Sequence, residues 1–131
     1  MTDSEADKLN ALSHEIIGAA LEVHRHLGPG LLEAVYEDCL MLELQQRGLK
    51  VARQVQRPII YKGVSVGHPL VIDILVEEQV IIELKAVSQV SETNVAQPLS
   101  YLKLSGLHLG LLINFNTAHL KDGIRRVVNE W

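Results

Sequence analysis

Two short apolar runs near the middle of the chain, VIDILV at 71–76 and VIIELK at 80–85, flank the polar triplet Glu77-Glu78-Gln79. Runs of this length, rich in isoleucine and valine and bounded by a polar turn, read as two buried β-strands of a hairpin. Asp73, Glu83 and Lys85 interrupt them. Such residues are almost never fully buried unless paired. A three-residue loop sets Val76 opposite Val80 and Asp73 opposite Glu83, with Lys85 on the same face as Glu83 because side chains alternate. A two-residue turn would throw Asp73 to the other face. Directly opposed like charges, with Cβ atoms about 4.5–5.5 Å apart, destabilise a sheet. Two arrangements resolve this. Lys85 neutralises one acid in a salt bridge while the other reaches solvent, or a cation sits between the carboxylates. Mg²⁺ suits the second, since it takes one or two carboxylates plus water and substrate phosphate.

The remaining pattern is mixed. Leu9, Leu12, Ile16, Ala20, Val23 and Leu27 keep a helical period up to a stop at Gly28-Pro29-Gly30. LLEAVYEDCLMLELQQR forms a second helical stretch closed by Gly48. Residues 51–61 read as a strand, Lys62-Gly63 as a turn and 64–70 as a strand kinked near Gly67 and Pro69. Residues 88–94 read as a polar loop, a helix then runs through Pro98 to Leu104, 108–114 is a buried strand, and Thr117 to Trp131 is a final helix. The expected order is ααβββαβα, one α/β (α+β) domain over 1–131.

Composition bounds the function. An apolar fraction of 47 % and a charged fraction of 21 % suit a soluble globular fold. The single cysteine, Cys39, allows no internal disulfide and fits a reducing, cytoplasmic setting as a core residue. No apolar run nears the ~20 residues a membrane span needs, and MTDSEADKLN is too polar for a signal peptide. The net charge of −4 weighs against a purely electrostatic coat on nucleic acid, yet permits an enzyme with an acidic metal site. The six histidines show no metal-ligand spacing.

Three further features join the hairpin charges. Glu33 lies in the first turn of the second helix, where the dipole favours an acid by about 0.3–1 kcal/mol, but at the border of the apolar face. Gln97 and Tyr101 follow shortly after Lys85. The element order lets a helix acid, two strand acids and a lysine converge.

Gly30…Glu33…Tyr36 spells GxxExxY, and Asp73, Glu83 and Lys85 match the D…ExK signature of PD-(D/E)XK nucleases. With QPLSYLKLSGLHLGLLINFN and GIRRVVN, the chain resembles the GxxExxY protein family from about residue 9 to 129. The resemblance implies a restriction-endonuclease-like fold, with a central mixed sheet of about four strands flanked by helices. It implies a metal-dependent nuclease acting on DNA. Asp73 and Glu83 would hold Mg²⁺ (or Mn²⁺), with the Leu84 backbone carbonyl as a third ligand. Lys85 would orient or deprotonate the attacking water, Glu33 would complete the acidic cluster, and Gln97 would support substrate or water. Tyr36 and Tyr101 would be supporting residues with hydroxyls toward the site. Ile72 stands where the signature has proline, and Pro98 biases Gln97 toward a helix cap. A homodimer suits a domain too short to track along duplex DNA. A nuclease fold kept only as a binding or scaffold protein is the rival reading, and a hydrolase of RNA or nucleotides is a third.

Overall fold

The computed structural model describes residues 1–131. Two helices come first, α1 (Asp3–Leu27) and α2 (Glu33–Gln46). Thr2 caps α1 by accepting the Glu5 N–H at 3.1 Å. Strand β1 (Val51–Arg57) follows, then a small hairpin of β2 (Ile60–Tyr61) and β3 (Val64–Ser65). Next come β4 (Leu70–Val76), β5 (Val80–Lys85), α3 (Glu92–Ser105), β6 (Leu109–Asn114), a 3₁₀ turn (Leu120–Gly123) and β7 (Ile124–Val128).

The five long strands form one mixed sheet in the order β1-β4-β5-β6-β7. Only β5 and β6 run parallel, and α3 makes the crossover between them. The larger core joins α1 and α2 to one face through Ile16, Leu40, Leu44, Ile82, Leu84, Leu111 and Phe115. A smaller cluster of Ile72, Leu75, Ile81 and Leu102 lies on the α3 side. Cys39 packs against the larger core, as its helical position implies.

The expected α/β class holds, with three corrections. The tail is a strand instead of a helix, so the sheet has five strands. IRRVV is β-branched at Ile124, Val127 and Val128, and it pairs antiparallel with β6. Gly123 allows the turn into it, because a Cβ there would meet the Asn114 carbonyl oxygen at 2.2 Å. The polar stretch at 88–94 is only partly loop: Ser91 and Asn94 form a capping box and α3 starts at Glu92. The kinked strand expected at 64–70 reduces to Val64–Ser65, before β4 begins at Leu70.

The hairpin register is as expected next to the loop, but the expected Asp73–Glu83 pair is not part of the ladder. Val76 faces Val80 and Ile74 faces Ile82 around the three-residue loop. Glu77 and Glu78 take left-handed φ values of 52° and 56° within it.

The β1–β4 ribbon bends at one place. Pairing runs from Val51↔Val76 to Arg53↔Ile74 and resumes at Val55↔Ile72, skipping Gln54 and Asp73. Gln54 has φ 52°. Val51, Ile74 and Val76 belong to the larger core, whereas Val55 and Ile72 belong to the smaller one. Regular alternation would keep each set on one face. Arg57 also pairs with Glu78 at 3.0 Å. Its partner Leu70 stands about 20 Å along a straight strand from Val76, further than the two side chains span. The outer half of the ribbon therefore turns back, and Asp73 sits at the bend.

Candidate active site

Asp73 is half-buried at this bend, outside the β1–β4 ladder. The β4–β5 ladder also stops at Ile74↔Ile82. Where it would continue, the Asp73 carboxylate takes the place of a backbone partner: Oδ2 accepts the Leu84 N–H at 2.8 Å. A strand residue points its N–H and C=O to the same edge. The Lys85 carbonyl faces β6, accepting the Phe115 N–H at 2.9 Å. Leu84 thus turns its backbone, carbonyl included, toward β4 and Asp73.

Glu83 and Lys85 share the sheet face of Ile81, the α3 side. Glu83 is only 3 % exposed, and its Oε1 has no hydrogen-bond partner. Burial pushes its carboxyl up to about 8, and the neighbouring Asp73 charge adds to the shift. A buried carboxylate with an unpartnered oxygen is costly, so the protonated form is favoured. Lys85 is half-buried and forms no ion pair with either acid. The salt-bridge arrangement is thus not the one adopted. Its charge still favours ionisation of both Glu83 and Glu33.

Glu33 enters from the first turn of α2. Burial raises its pKa, Lys85 works against that, and Asp73 and Glu37 reinforce it. Glu33, Ala34, Glu37, Gln54 and Asp73 line one cleft of about 280 Å³. Two of these, Glu37 and Gln54, carry no signal in the sequence. Both look like ordinary surface polar residues until the bend brings β1 against α2, where Gln54 Nε2 donates to Glu37 Oε1 at 2.7 Å.

Gln97 lies well inside α3, not at its cap. Pro98 follows it within the helix and lacks only the N–H that would have reached Asn94. Gln97 Nε2 donates to the Tyr101 hydroxyl at 2.9 Å, one turn on, and Tyr101 packs on the smaller cluster. Tyr36 serves a different place. It is fully buried, stacked on Phe115 with centroids 4.5 Å apart. Its hydroxyl donates to the Gly28 carbonyl at 2.5 Å and accepts the Leu31 N–H at 3.2 Å. It staples the Gly-Pro-Gly corner that aims the start of α2, so its hydroxyl is not turned to the cleft.

Asn114 was not singled out from the sequence, although a lone amide ending a six-residue apolar strand is a readable signal. It pairs with Lys85 across β5–β6. Its side chain accepts from Val87 N at 3.1 Å and from Asn116 N at 3.2 Å, and donates to Val87 O at 2.9 Å. It clamps the chain just beyond Lys85.

No three His, Cys, Asp or Glu side chains gather closely enough to cage a metal ion by themselves. The donor set instead suits a hard cation held by few protein oxygens. Glu83 offers an unpartnered buried oxygen, Asp73 lies beside it, and the Leu84 backbone faces the same gap.

A mixed sheet with an acid at the bend of one strand and an acid and a lysine at the end of its neighbour describes a nuclease-type domain of the restriction-endonuclease-like class. A family model of the PD-(D/E)XK nuclease superfamily matches residues 10–127. The chain belongs to that superfamily, whose nucleases act on nucleic acids and generally use divalent metals. No curated protein and no solved structure gives a significant match. No helix is long and apolar enough to cross a membrane.

Proposed function

We propose that the protein is a Mg²⁺- or Mn²⁺-dependent phosphodiesterase acting on DNA, of the GxxExxY type, built as one domain over residues 1–131. The observation that carries this reading is Glu83: a nearly fully buried carboxyl with an orphaned oxygen, next to a second acid. Such an arrangement is costly in an empty protein and becomes favourable when a cation compensates it.

Asp73, Glu83 and the Leu84 carbonyl would hold the ion. When bound, a divalent ion offsets phosphate charge and lowers the pKa of water at the site. The chain's own residues supply the rest. Lys85, free of ion pairs, would face the attacking water and the phosphate and place positive charge where negative charge builds up. Glu33 lines the cleft with a pKa raised by burial, which suits a group that exchanges a proton with solvent. Gln97 and Tyr101 form a hydrogen-bonded pair on α3, on the face shared by Glu83 and Lys85, ready to orient water or a phosphate oxygen.

A second reading has a specific observation behind it. The acids do not form a ready three-carboxylate cage, and the net charge is −4; both suit a nuclease fold retained for binding alone. The two readings separate in one experiment. Purified protein is incubated with supercoiled, linear, branched and single-stranded DNA in Mg²⁺, in Mn²⁺ and in EDTA. Metal-dependent cleavage that vanishes in Asp73→Ala and Glu83→Ala supports the enzyme. DNA retention without cleavage in any metal supports the binding protein. Sedimentation with and without DNA reports whether a homodimer forms, and cell fractionation tests a cytoplasmic location.

A further inference from the structure

We infer that Gln54, a residue of β1 remote in sequence from every acid of the site, is the positioning residue that sets Asp73. The inference rests on the metal-site reading above only for its metal arm. Gln54 and Asp73 are the two positions skipped in the β1–β4 ladder, and they face each other across it. Gln54 alone in β1 adopts a left-handed backbone, φ 52°. For a non-glycine residue inside a strand this is a strained conformation that persists only where its surroundings impose it. Its consequence is the bend. The ribbon changes faces between Val51 and Val55 and between Ile74 and Ile72, and it brings Arg57 back to Glu78. An unbent ribbon would pair Asp73 through its backbone and leave its carboxylate on a regular sheet face. The bend frees that carboxylate to reach the Leu84 N–H at 2.8 Å.

The side chain of Gln54 adds a second tie. Its amide donates to Glu37 at 2.7 Å, and its neighbour Arg53 pairs with Asp38 and lies 3.7 Å from Glu37. Both contacts fix the first turns of α2, and hence Glu33, against β1. One residue thereby links the strand acid and the helix acid, and it lines the cleft that both share.

The test is a series ordered by tolerance of the left-handed conformation: Gln54→Gly, Gln54→Asn, Gln54→Ala and Gln54→Val. The primary readout is hydrogen exchange of the Leu84 amide in the metal-free protein, referenced to amides of β6. Leu84 protection is expected to survive in the glycine and asparagine variants. It is expected to fall at least tenfold in the alanine variant, while β6 protection stays within about threefold. The valine variant, if folded, should fall further. Mn²⁺ titration is the second readout, with affinity dropping in the same order. Equal Leu84 protection in glycine and alanine variants overturns the proposal, as does a loss shared uniformly with β6. If wild-type protein binds no Mn²⁺, the metal-site reading falls, and Leu84 exchange still decides the role of Gln54.

Discussion

Glu83→Gln should make the metal-free protein more resistant to alkaline pH, although it removes a residue proposed to be essential. The folded-state carboxyl titrates near 8, against 4.5 for the ordinary value. Between those limits the folded chain holds a proton that the unfolded chain has released. Stability is therefore fully present below about pH 4.5 and is lost progressively as pH rises toward 8. Integrating the linkage gives a loss of about 1 kcal/mol at pH 5, about 3 kcal/mol at pH 7 and nearly 5 kcal/mol above pH 8.5. Against a total stability of about 5–15 kcal/mol, this is large. Glutamine keeps the shape and removes the titration. Its amide leaves an unmet donor that costs about 1–3 kcal/mol at every pH, so the slope with pH is the quantity to read, not the offset.

Urea melts in EDTA from pH 5 to 9 give that slope directly. The wild-type curve should fall by about 3–4 kcal/mol relative to Glu83→Gln over this range. Adding Mn²⁺ at about 100 times its Kd should return roughly 2.7 kcal/mol to the wild type and nothing to the variant. Parallel curves in EDTA would show that Glu83 is ionised and satisfied in the empty protein. That result would remove the reason for placing a cation beside it.

Four other outcomes follow from the same geometry. Asp73→Ala should abolish Mn²⁺ binding by calorimetry and deprotect the Leu84 amide, which loses its acceptor. Lys85→Ala should retain Mn²⁺ binding while cleavage falls by 10²-fold or more, because the lysine acts on charge developing at the phosphate; wild-type cleavage would exclude it from the mechanism. Tyr36→Phe removes both hydroxyl contacts at the corner and should cost about 1–3 kcal/mol in chemical denaturation, keeping the Phe115 stack. Gly123→Ala forces a methyl against the Asn114 carbonyl, which should lower the melting temperature and expose the β7 amides to exchange.

Parts of the site were open to reading from residues alone because strand geometry has so few degrees of freedom. Once Val76 opposes Val80, the period of two leaves no choice about Glu83 and Lys85. Glu33 was legible for a similar reason, since a Gly-Pro-Gly corner fixes where the next helix begins. The tail is ambiguous in sequence because apolar residues at 120, 124, 127 and 128 satisfy a helical spacing as well as a strand one. Tertiary pairing with β6 decided between them. Nor could periodicity reveal the bend. It arises from one glutamine in a conformation that its residue type disfavours, and only the packing of α2 against β1 and of Arg57 against Glu78 makes it visible.

That bend also changes what the charges of β4 and β5 mean. In a flat hairpin Asp73 and Glu83 would repel across one face, and selection of either residue would be hard to explain by stability. In the bent ribbon Asp73 leaves the ladder and takes a backbone N–H, so its own charge has a partner in the absence of any ion. One oxygen of Glu83 has no partner, and the electrostatic cost of the pair collects on this one buried carboxyl. The asymmetry gives the two acids different thermodynamic parts. Asp73 is pre-organised by its bond to the Leu84 N–H, ready to receive a cation. Glu83 must give up its proton as the cation arrives, so binding should release close to one proton near pH 7 and tighten as pH rises toward 8. Calorimetry of Mn²⁺ binding in two buffers of different ionisation enthalpy measures that proton directly. A value near zero at pH 7 would mean that the ion, if it binds, does not use Glu83.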